Sequence, residues 1–186
     1  MSLVDTIFGV ILAEGFVIYQ ANITNPFLSL QTDFALVVAY ATIISSWIGY
    51  HRSVSLYPYN PNSWGRIHLS LDIFILVLYA FLIFAAQTVS TFLLGLFLVF
   101  FFYTVTGIIR IVECKDRTVS KYKLNAGFAL AFLLEWYASL SAQKSLISWF
   151  LLVFAFILVI AYRWIHQKLS SDTKNPKTHL LLGSKT

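Results

Sequence analysis

The chain is short of nearly everything a water-soluble domain needs. Only 11% of its 186 residues are charged, against about 25% in soluble proteins. With 59% hydrophobic residues and a mean hydropathy of +0.77, it lacks the polar surface to face water, so the bilayer is its expected solvent. The single cysteine, Cys114, excludes an internal disulfide and a thiolate metal site. Its basic juxtamembrane surroundings leave room for reversible acylation. There is no nucleophile beside a base, no Gly-rich phosphate loop and no carboxylate pair suited to hydrolysis, so an enzyme is not expected. No metal-ligand spacing is present and no cofactor is implied. Without a basic stripe interleaved with aromatics, nucleic acid is not an expected partner. The N-terminus has no basic start and carries Asp5 instead, which reads as a first permanent helix rather than a secretory signal.

Basic residues are also missing from particular places. The gaps after the first and third apolar runs hold no Lys or Arg, and the gap after the fifth holds only Lys144. The other 12 of the 13 basic residues fall in the alternate gaps and the tail. Arg52 and Arg66 follow run two. Arg110, Lys115, Arg117, Lys121 and Lys123 follow run four. Arg163, Lys168, Lys174, Lys177 and Lys185 follow run six. Lys and Arg are retained on the cytoplasmic side, so both termini are expected there. The net charge of +5 lies in these loops and the tail, where it attracts anionic lipid.

The expected fold is an all-α membrane protein, a six-transmembrane-helix bundle over residues 1–166 with a flexible cytoplasmic tail over 167–186. The helices are read as Asp5 to Tyr19, Phe34 to Tyr50, Leu69 to Ala86, Phe92 to Val112, Leu124 to Leu140 and Leu146 to Ile165. Short loops make consecutive helices antiparallel neighbours. The exception, Ser53 to Ile67, contains Pro58 and Pro61 and reads as turn-rich and non-helical. Its Tyr57, Tyr59 and Trp64 suit the headgroup layer.

Ionisable groups inside a span are costly and are the first place to seek function. Asp5 opens the first helix, His51 and Arg52 close the second, and Asp72 lies one turn into the third, all at one cytoplasmic level. Opposite charges at one depth offset each other's desolvation, so these four residues read as a polar network, either a latch or a gate. Glu14 lies nine residues beyond Asp5, roughly 13 Å deeper. It points to the opposite face, in line with Ile7, Val10 and Val17, and that stripe has the spacing of a helix seam. A charge there must meet water, a partner helix or a proton. Glu135, beside Trp136 and Tyr137, is a further intramembrane acid near or beyond mid-depth.

Two motifs carry a family resemblance. Asp5-Thr6-Ile7-Phe8-Gly9-Val10 and Trp47-Ile48-Gly49-Tyr50-His51-Arg52 resemble the first- and second-helix signatures of the prokaryotic relatives of the lysosomal potassium channel, the transmembrane protein 175 family. Tyr50 replaces a His of that pattern, and Asp72 stands where the third helix of the family carries an Asn. The resemblance covers helices one to three. It implies a homotetramer in a prokaryotic cell membrane, with helix 1 lining a central pore for monovalent cations. Val10 and Val17 would then face the pore. Glu14 takes the place of an apolar residue, and a ring of four carboxylates would favour cations generally, or protons.

The leading expectation is therefore a homo-oligomeric cation channel, for potassium or protons. The alternatives are a small-molecule-binding membrane subunit, such as the S-component of a vitamin transporter, and a partner-gated membrane effector. Aromatic-rich helices could wall a binding pocket for the former.

Overall fold

The computed structural model describes residues 3–25, 29–56, 63–114, 119–141 and 145–172. Tyr57, Tyr59, Lys144 and everything after Asp172, including most of the expected tail, lie outside the described residues. The described residues are helical, with no strand among them. The helices are α1 (Leu3–Ile18), the short α2 (Gln20–Thr24), α3 (Leu30–Leu56), α4 (Ser63–Ala85), α5 (Val89–Cys114), α6 (Val119–Ser141) and α7 (Ser145–Asp172). Four stretches are long and apolar enough to cross a membrane: Leu30–Arg52, Trp64–Ala85, Val89–Val112 and Leu146–Leu169. That fits an integral membrane protein. Of the two remaining long helices, α1 has 16 residues. The 23-residue α6 carries Lys121, Lys123, Asn125 and Glu135.

The helix ends differ from those read in the sequence. The first helix stops at Ile18, and α2 continues the chain as a separate turn of helix. Part of the segment expected to be non-helical is helical, because α3 runs on to Leu56 and α4 begins at Ser63. The prolines Pro58 and Pro61 restrict only their immediate neighbours, and nothing from Arg52 to Leu56 breaks a helix. Likewise α7 passes His166 and ends at Asp172. Hydropathy marks where a helix leaves the apolar layer, and the hydrogen-bonded spiral continues beyond that point.

Side-chain contacts fix the packing. The buried stripe Val4, Phe8, Ile11 and Gly15 of α1, with Tyr19 just past its end, faces inward. Phe8 meets Tyr79 of α4 at 5.7 Å between ring centroids. Tyr19 Oη donates to the Ile83 carbonyl at 2.9 Å, and Tyr40 Oη donates to the Leu12 carbonyl at 3.1 Å. A Cβ added at Gly15 would collide with the Tyr40 hydroxyl and stand 3.2 Å from two Ile83 methyl groups. The missing side chain is what lets α1 approach both α3 and α4. Between α4 and α5 the chain turns tightly, with Ala86 and Thr88 donating to the carbonyls of Ile83 and Ala85 at 3.1 and 3.0 Å.

The long helices close a ring in the order α1, α3, α7, α6, α5, α4. All chain neighbours around it run antiparallel, whereas α3 and α7 run parallel: Phe34 meets Trp149 and Phe156, and Gly49 lies against Arg163. In α5, Phe92, Leu93, Leu96 and Val99 are fully buried. Phe100 sits at the centre, with ring contacts to Tyr162 at 4.8 Å, Phe132 at 4.9 Å, Tyr103 at 5.4 Å and Phe128 at 5.9 Å. Aromatic pairs of this kind contribute about 0.5–1.5 kcal/mol each beyond area burial. Close packing, rather than exclusion of water, holds helices together in lipid.

Candidate functional site

Around Phe100 the bundle divides into two halves. On the side of Leu93, Leu96, Phe132 and Leu152 it is solid, and these four residues are fully buried. On the other side it opens into a cavity of about 650 Å³ to which all six long helices contribute. The cavity lies at the end of the bundle where α3, α5 and α7 finish and where α1, α4 and α6 begin.

Its floor is a hydroxyl network. The Tyr103 hydroxyl sits between the hydroxyls of Ser46 and Tyr79, hydrogen-bonded to both. Alongside, Tyr162 Oη donates to Asn125 Oδ1 at 2.9 Å, and Asn125 Nδ2 donates to the Tyr103 carbonyl at 3.0 Å. Residues from α3, α4, α5, α6 and α7 thus share one connected set of polar groups. Each group is partnered, as burial in a low-dielectric interior requires. Phe8, Ile75, Leu76, Phe100 and Val159 supply apolar wall beside it.

The mouth is basic. Arg52 of α3, Arg110 of α5, Lys121 of α6 and Arg163 of α7 all line the cavity. Arg52 is exposed at the rim, whereas the other three are half-buried. A Cβ at Gly49 would stand 3.5 Å from Arg163 Nη1, so the guanidinium lies along the α3 backbone. His68, Asp72 and His166 also line it. His68 Nε2 is 3.7 Å from Asp72 Oδ2, one helical turn away on α4. Such a site can hold a negatively charged group at its mouth and an apolar or aromatic body against its floor.

The residues singled out in the sequence fall into separate places. Asp5 accepts from Trp47 Nε1 at 3.3 Å and lies 2.6 Å from His51 Nε2. That cluster ties α1 to the end of α3. Asp72 and Arg52 belong instead to the cavity wall. Among the described contacts, Asp5 and His51 thus pair beside Trp47, while Asp72 and Arg52 line the cavity. Val10, Glu14 and Val17 are exposed on the outer face of α1, away from the cavity. Glu135 is 4% exposed. Among the described residues, neither of its carboxylate oxygens has a hydrogen-bond partner.

Sequence reading missed most of the cavity. It took Arg110, Lys121 and Arg163 only as markers of topology. The available signal was spacing. Tyr103, Gly107 and Arg110 share one face of α5, as do Thr42, Ser46 and Gly49 of α3, Lys121 and Asn125 of α6, and Tyr162 and His166 of α7. A polar stripe in the same half of several apolar helices marks a shared interior site. No family model, curated protein or solved structure matches the chain.

Proposed function

We propose that the chain is a six-span integral membrane protein with both termini cytoplasmic, and that each protomer binds a small molecule between its helices. The observation that carries this reading is the cavity of about 650 Å³ built by six helices of one chain. Ligand sites usually measure about 300–1,000 Å³, with apolar walls and a few fixed polar groups. The basic mouth supports a cytoplasmic opening, since it gathers the residues that the positive-inside rule retains there. Two further spans, α1 and α6, complete the ring around the cavity, and short spans are accommodated by local thinning of the bilayer. The test is native mass spectrometry of the protein purified in nanodiscs. One small molecule per chain is expected. Protein that is empty from every growth condition, and that no metabolite stabilises, would sink the proposal.

A second reading, the homo-oligomeric cation channel, has its own support. Val10 and Val17 are 57% and 72% exposed on α1, with Glu14 exposed between them. An apolar stripe with one acid suits a seam between copies around an ion path. Liposome cation flux that depends on Glu14, together with a tetrameric mass, is the expected result. A monomer, or flux unaltered by Glu14→Gln, would remove this reading.

A further inference from the structure

We infer that the ligand of this cavity is an organic phosphate, with a phosphate monoester or pyrophosphate group at the basic mouth and its organic body against the tyrosine floor. The inference rests on the small-molecule reading above and names the chemistry of the molecule.

Its starting point is an excess of basic side chains. Arg52, Arg110, Lys121 and Arg163 bring four cations to one cavity, and among the described residues Asp72 is the one carboxylate that lines it. Three of the four cations are half-buried. Like charges converging in a partly dehydrated space repel one another and lose hydration, and a bound anion of two or more charges offsets both effects.

Retention of basic residues at the cytoplasmic end explains why these side chains stand at this end of the helices. It does not explain why four of them, from four helices, turn inward to one space. Nearby basic residues show the alternative: Lys168 lies over the outer Trp164 ring at 5.6 Å, and Arg66 is exposed and absent from the lining.

The residue types narrow the class. Three of the four are arginines, whose planar fork pairs with two oxygens of one phosphate, whereas a lysine acts as a point charge. The Arg163 guanidinium is laid against the Gly49 backbone, which restricts its freedom before any ligand arrives. A free inorganic ion would fill little of a 650 Å³ space. Below the cations lie the rings of Tyr103 and Tyr162, whose hydroxyls are held in the floor network, with the buried Tyr79 and Phe100 packed against them. Rings held in this way present flat apolar surface to an organic body. The phosphate could belong to a soluble metabolite entering from the cytoplasm or to a membrane lipid entering from the side.

The test uses the full chain in phosphatidylcholine nanodiscs. One arm titrates pyrophosphate, with sodium chloride at matched ionic strength as blank, and reads melting temperature and tryptophan fluorescence. The other compares nanodiscs containing phosphatidic acid, a monoester, with nanodiscs containing phosphatidylglycerol, a diester. Saturable binding in at least one arm is expected. Arg110→Gln and Arg163→Gln should each weaken it about 10-fold or more, as loss of a charged hydrogen bond does. Arg→Lys at either site should weaken it less, which keeps the test intact if the Gln variants fail to fold. Lys168→Gln should change nothing. Response to pyrophosphate alone assigns a soluble source, and response to phosphatidic acid alone assigns a lipid.

The inference is overturned if phosphatidylglycerol acts as well as phosphatidic acid, or if Lys168→Gln weakens binding as much as Arg110→Gln. It is also overturned if neither probe binds. In that case an uncharged molecule retained in native mass spectrometry leaves the small-molecule reading standing, and an empty protein removes both.

Discussion

Asn125 donates through Nδ2 to the main-chain carbonyl of Tyr103, 3.0 Å away on the neighbouring helix. Its carbonyl oxygen accepts from Tyr162 at 2.9 Å. One amide thereby joins α5, α6 and α7 at the level of the cavity floor. In a sequence of apolar helices it looks like an isolated blemish.

Replacing Asn125 with Leu should leave the Tyr162 hydroxyl and the Tyr103 carbonyl without this partner in a buried setting. An orphaned buried polar group costs about 1–3 kcal/mol. The melting temperature in detergent or nanodiscs should fall by several degrees. Tyr162→Phe, which removes one bond and keeps the ring against Phe100, should cost less. Equal melting temperatures for wild type and Asn125→Leu would refute the bridging role.

Two glycines of α1 should behave oppositely. Gly15→Ala places a methyl group into the Tyr40 hydroxyl and against Ile83, with contacts of 3.2 Å to the latter. The expected outcome is a destabilisation of about 1–3 kcal/mol from overpacking. At Gly9, nothing lies within 4 Å of an added Cβ. Gly9→Ala should be neutral or stabilising by up to about 1 kcal/mol through helix propensity. Parallel thermal melts of the two variants decide the matter, and a larger loss at Gly9 would contradict the packing described for α1.

Glu135 offers a test of buried polarity. With 4% exposure and neither carboxylate oxygen hydrogen-bonded among the described residues, it should oppose folding. Glu135→Leu should therefore raise stability, by about 1–3 kcal/mol, and Glu135→Gln should do so less. If the Leu variant is instead less stable than wild type, the carboxyl has a structural partner. Stabilisation accompanied by loss of ligand binding or ion flux would mark the acid as functional.

Helices were legible in the chain because apolar runs of membrane length have few other structural outcomes. Their ends were not, since the polar pair His51 and Arg52 closes the apolar run while the spiral continues past it to Leu56. Asp5 and His51 could be placed at one level from orientation alone. Their pairing with each other depends on how α1 packs against α3, which local pattern does not encode. The cavity was hidden for the same reason. Arg110, Lys121 and Arg163 are unremarkable each on its own helix and become a site only when α5, α6 and α7 bring them together. Glu14, by contrast, was conspicuous as a lone acid in an apolar run, and yet it lies on the outer face of its helix.

The sealed half of the bundle has an electrical consequence. In a membrane, water that fills the cavity as far as Phe100 would bring the conducting solution on that side partway across the bilayer. The transmembrane voltage then drops mainly across the packed layer of Leu93, Leu96, Phe132 and Leu152. Arg110 and Arg163, which line the cavity, would sit near the potential of that solution and sense little of the drop. Glu135, about one turn beyond Phe132 on α6, lies within the focused field. A full charge crossing it gains or loses about 2.3 kcal/mol per 100 mV, so gain or loss of a proton at Glu135 would be coupled to the membrane voltage.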